Sequence, residues 1–68
     1  MEVQMRHVYE NLETIYNERG EQACRSLLEM YSESNLLRIC KWNDHNGEWD
    51  GATRKEMTEV IIKWLKEG

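Results

Sequence analysis

Sixty-eight residues make one small domain, and a lone core in so short a chain is marginal unless a disulfide, a metal or a second copy adds to it. The formal charge of −4 arises entirely in residues 1–35, where seven acids face three bases; residues 36–68 hold six of each. That balance excludes a broad basic surface for phosphate and is too mild for a nucleic-acid mimic, so the charges read as the solvated helix faces of a soluble protein.

Cysteine usage and hydropathy narrow the class further. Cys24 and Cys40 are the only cysteines, no signal-peptide pattern is visible, and the longest aliphatic run, Val60-Ile61-Ile62, is far too short to cross a membrane. The expectation is a cytoplasmic, reduced protein without membrane contact, both thiols serving as small hydrophobes. By elimination, self-association into a homodimer is the expected source of additional burial.

Prolines are absent and the glycines act as punctuation, which favours an all-helical chain. In the first segment Met1, Met5, Val8, Leu12 and Ile15 follow heptad spacing, with Tyr9 and Tyr16 widening the stripe. Two roles fit this seam: packing against the next helix of the same chain, or a dimer contact. Gly20 is placed to close the first helix as a left-handed residue after Arg19 and to permit a tight reversal. From Glu21 to about Ser32, Cys24, Leu27, Leu28 and Tyr31 then share one helix face, broadened by Ala23 and Met30. Residues 1–33 therefore predict an antiparallel helical hairpin.

"SESN" (residues 32–35) has no apolar residue and two serines able to cap a new helix. In "NLLRICKW" (35–42), Leu36 and Leu37 would point to opposite faces of a strand, so a short helix with Leu36, Leu37, Ile39 and Cys40 as a buried patch is favoured. The last helix is the clearest. Thr53-Arg54-Lys55-Glu56 is a capping box, and Met57, Val60, Ile61, Trp64 and Leu65 follow at helical spacing. Ile62 falls off that stripe and is expected to be exposed as part of a contact surface. The fold expected is a small all-α domain of three or four helices, dimeric, with a helix–linker–helix half over 35–67.

The stretch "KWNDHNGEWDGATRKE" (41–56) carries the most unusual chemistry. As a calcium loop with Gly51 at the sixth position, it places Asn46, Glu48 and Asp50 at the first, third and fifth, but Met57 at the twelfth, where a bidentate glutamate is required. With Gly47 sixth, the first position is Trp42, which offers no oxygen. His7, Cys24, Cys40 and His45 match a zinc set in number, but no close pair anchors them. The same set could supply a cysteine nucleophile with a histidine base, but a 68-residue helical chain has little room for a pocket that excludes water, and neither a phosphate loop nor a nucleophile elbow is present. No enzyme activity, cofactor or metal is expected. Asn46-Gly47 signals a turn, and a loop from Asp44 to Gly47 would set Trp42 opposite Trp49, but Asp50-Gly51 leaves the return too short for an extended hairpin.

"NLLRICKW…DGATRKEMTEVIIKWL" resembles the helix–extended–helix modules, the SAP and LEM-type domains. Gly51, Lys55, Glu56, Met57, Val60 and Ile61 fit the SAP pattern, with methionine where leucine is usual. Thr53-Arg54-Lys55 is similar to the T-R-K that opens the second helix of LEM-type domains. The likeness covers residues 35–66, under half the chain. The linker is longer than the SAP pattern, and Asp44, Glu48 and Asp50 occupy what would be its DNA-facing side. The resemblance implies binding to DNA or a DNA-associated protein, with Lys41, Thr53, Arg54 and Lys55 at the phosphates.

The leading expectation is different: a regulatory or inhibitory protein that acts by contacting another protein. It rests on the small size, the heptad seam (Met1, Met5, Val8, Leu12, Ile15) and three tryptophans, a residue enriched at interface hot spots. Trp42, Trp49, Arg54, Lys55 and Ile62 are the expected partner contacts. A chain of this kind would suit a phage or mobile-element protein that blocks a host enzyme.

Overall fold

The computed structural model describes residues Met5–Gly68. Its order is α1 (Met5–Arg19), α2 (Glu21–Met30), α3 (Glu33–Asn43) and α4 (Arg54–Glu67), with no strand among the described residues. The chain is all-α. The segment 35–42 is helical, inside a helix that begins at Glu33, three residues before the first apolar residue, Leu36.

Each boundary has a local cause. The Gly20 amide donates to Tyr16 O at 2.9 Å and closes α1. Its backbone (φ 91°, ψ −179°) has the positive φ that glycine tolerates, but the extended ψ is not the left-handed helical cap expected. That combination reverses the chain in one residue, which serves as the end of α1 and the N-cap of α2. At the start of α3, Ser32 Oγ accepts from the Asn35 amide at 3.1 Å. The capping box of α4 is complete: Thr53 Oγ1 accepts from the Glu56 amide, and a Glu56 carboxylate oxygen accepts from the Thr53 amide, both at 3.1 Å.

Leu12, Cys24, Leu28, Leu36, Ile39, Cys40, Met57, Ile61, Ile62 and Leu65 form the core, so all four helices contribute to it. Leu12 is 0 % exposed, and the Cys24 thiol donates to its carbonyl oxygen at 3.4 Å. The seam residue Leu12 is thus closed inside its own chain. Met5, Val8 and Ile15 are half-buried against the same core, and Met1 lies outside the described residues.

Three expectations about side-chain direction are corrected. Ile62 is 1 % exposed rather than on the surface. α4 packs against α1, α2 and α3 together, so its buried arc is wider than a two-helix stripe and turns toward Ile62. Val60 and Trp64, which the spacing placed inside, sit at the margin. Met30 was expected to broaden the buried face of α2 but is 82 % exposed, because that face centres on Cys24 and Leu28.

An ion-pair network links α2 to α4 across their surface. Arg25 forks onto Glu59, with Nη2 to Oε1 at 3.0 Å, and its Nε meets Glu21 at 2.8 Å. Glu21 in turn holds Lys66 at 2.9 Å. These contacts lower the Glu21 and Glu59 carboxyl pKa values below their ordinary range.

Candidate functional site

The connection between α3 and α4 folds as two successive turns. The Gly47 amide donates to Asp44 O at 3.2 Å, and the Ala52 amide to Trp49 O at 3.1 Å. Gly51 occupies the third position of the second turn with φ 83°, the positive value that a type II turn requires. Gly47 is needed for a different reason. A Cβ there would lie 2.9 Å from Trp49 Nε1 and 3.0 Å from an Asp44 carboxylate oxygen, because the indole folds back over it.

The two tryptophans that bracket this loop do not face each other. Trp49 Nε1 donates to the carbonyl oxygen of Asp44, the C-cap of α3, at 2.7 Å. The Trp49 ring meets Trp64 of α4 edge-on, with centroids 5.8 Å apart and planes at 76°. Trp49 therefore fastens the loop to both flanking helices. Trp42, on the last turn of α3, instead lies against Tyr9 of α1 at 5.7 Å, with planes at 41°, and is 45 % exposed. Burial raises the Tyr9 pKa, with smaller contributions from Glu13 and from Glu67 at the end of α4. Among the large apolar side chains described, Trp42 and Met30 are the exposed ones.

The expected nucleic-acid contacts fare unequally. Lys41 and Lys55 are exposed. The Thr53 hydroxyl is engaged in the α4 cap, and Arg54 Nη1 donates to Leu28 O at 3.3 Å, at the end of α2. The linker's Asp44, Glu48 and Asp50 are exposed as well.

The possible ligand sets are not assembled. His7 and His45 are exposed while Cys24 and Cys40 are buried and free, and no three His, Cys, Asp or Glu side chains among the described residues are grouped to hold a metal. Burial pushes the Cys24 thiol up and the Cys40 thiol to about 11, the protonated state of an apolar filler. No described helix is long and apolar enough to cross a membrane.

The sequence did not reveal that Tyr9 would support Trp42, because Tyr9 reads equally well as the edge of the α1 stripe. Comparison with known protein families, curated proteins and solved structures finds no match to this chain.

Proposed function

We propose that this chain is a small non-enzymatic regulatory or inhibitory protein that acts through protein–protein contacts, with Trp42 as the anchor. The observation that carries this reading is the exposure of Trp42 (45 %) on a fixed support, the Tyr9 ring. A large aromatic held in place at the surface loses little side-chain freedom on binding, which is why tryptophan dominates interface hot spots. Lys41 lies beside it on α3, exposed. The helix–extended–helix reading, with DNA as the ligand, has less support, because Thr53 and Arg54 are already engaged within the fold.

Site-specific photo-cross-linking in the source cell tests the proposal. Benzoylphenylalanine at the exposed Arg38, one turn before Trp42 on α3, is expected to give a discrete adduct with one protein that is lost when Trp42→Ala is added. The same group at the exposed Lys63 of α4 is expected to give none. No adduct from position 38, an adduct that survives Trp42→Ala, or the same adducts from positions 38 and 63 would overturn it.

A further inference from the structure

Trp49 and Asp50 stand between two shallow grooves. One, of about 300 Å³, lies against the start of α3 and is lined by Glu33, Leu37, Ala52 and Met57. The other, of about 320 Å³, is lined by Lys41, Gly47 and Glu48. Glu33, Leu37 and Lys41 follow one another at intervals of four along α3, which puts them in one row on that helix. The two grooves share Trp49 and Asp50 in their lining and lie side by side along this row, a pair that makes up the trough between α3 and the loop 47–52.

The trough has an apolar floor and an acidic rim. Leu37, Trp49 and Ala52 are half-buried and offer part of their surface to it, with Met57 beneath. Glu33, Glu48 and Asp50 are exposed along its edges, and Lys41, at one end, is the cation among its lining residues. The ion pairs of the described residues engage Glu21 and Glu59 on the α2–α4 side of the molecule, and leave these three carboxylates unpaired.

We propose that this trough docks a short segment of another protein, carrying one apolar side chain flanked by lysine or arginine. The apolar side chain lies on Leu37 and Trp49, and the cations meet Glu33 and Asp50. Unpaired carboxylates beside an apolar floor repel acidic segments and nucleic acid, and favour a basic one through complementary potential. The surplus of acids in the N-terminal half of the chain adds attraction over longer range. Because the rim is open to solvent, the charge contribution is weakened by salt while the apolar one persists. This inference rests on the protein-binding reading, but it uses a surface other than the Trp42 anchor.

Selection from a displayed library of random short peptides on the full chain tests it. Enriched peptides are expected to carry an apolar residue with lysine or arginine on either side, and to shift the Trp49 indole N–H resonance. Their affinity is expected to fall several-fold in the Glu33→Gln, Asp50→Asn double variant, which keeps side-chain size while removing charge, and to fall again in Leu37→Ala. Trp42→Ala is expected to leave it unchanged. Circular dichroism of each variant separates loss of binding from loss of fold, and Leu37→Ala is replaced by Ala52→Ser if it unfolds. Acidic or uncharged selections, binding indifferent to the double variant, or no enrichment would each overturn the trough. Peptides lost in Trp42→Ala alone would overturn it while supporting the Trp42 reading, whose own failure is read separately by cross-linking.

Discussion

Arg54 Nη1 and the amide of Tyr31 both donate to the carbonyl oxygen of Leu28, at 3.3 and 3.2 Å. Carbonyls in the last turn of a helix lack intrahelical partners, and a cation there also suits the negative end of the helix dipole. Arg54 thereby pins the start of α4 to the end of α2, two elements far apart in sequence. Replacing it with alanine should lower stability by about 1 kcal/mol, read as a shift in the urea midpoint at unchanged slope. An unchanged midpoint would mean that the contact is incidental and that the side chain is available for a ligand.

The position of Trp49 depends on a glycine two residues earlier. Gly47→Ala places a methyl group 2.9 Å from Trp49 Nε1, so the indole must move away and lose its 2.7 Å hydrogen bond to Asp44 O. The expected result is a red-shifted, more quenchable tryptophan emission with little loss of helicity, since every fully buried core residue lies on a helix and not in this loop. Trp64→Phe should give a milder form of the same effect by removing the edge contact to Trp49. Emission unchanged in Gly47→Ala would show that the indole does not rest on Gly47.

Local chemistry explains what could be read in advance. Ser32, the Thr53–Glu56 box and Gly20 act within a few residues of themselves, so the helix starts and the first reversal were visible in the sequence. Burial on α4 was not, because a stripe of spaced apolar residues assumes one packing partner and α4 has three. Ile62 was misplaced for that reason. The Arg54–Leu28 bond and the Arg25–Glu59 fork join positions 26 and 34 residues apart, and no local signal records them. The composition of 41–56 marks a turn-rich connection between two helices, which is what α3 and α4 enclose. The division of its tryptophans into a structural one, Trp49, and an exposed one, Trp42, depends on which neighbour each ring finds.

Leu12 separates a core seam from a dimer seam. It is 0 % exposed within one chain, and truncating such a residue to alanine typically costs about 2–5 kcal/mol. Leu12→Ala should therefore lower the thermal midpoint sharply and by the same amount at every protein concentration. Ile62→Ala should behave alike, since Ile62 is 1 % exposed, whereas Met30→Ala, at an 82 % exposed position, should be nearly silent. A loss in Leu12→Ala that diminishes as concentration rises would instead point to stabilisation by a second copy.

Acid should weaken the fold through three carboxylates. Glu21 and Glu59 have their pKa values lowered from 4.5, chiefly by hydrogen bonds from Lys66 and Arg25 respectively, and Glu56 by the Thr53 backbone amide in the capping box. A carboxyl with a lower pKa in the folded chain binds fewer protons there than in the unfolded chain. Its contribution is therefore complete above 4.5, the ordinary value, and is lost as the pH falls through the depressed folded value. Stability measured by urea should hold steady from neutral pH down to the ordinary carboxylate range and decline below it. Because the network lies at the surface, the effect should shrink in high salt. Arg25→Gln removes the main partner of Glu59 and one of the two partners of Glu21, and should flatten the acid limb while leaving the Glu56 component. An acid limb identical in Arg25→Gln and the parent would show that the α2–α4 network contributes nothing to it.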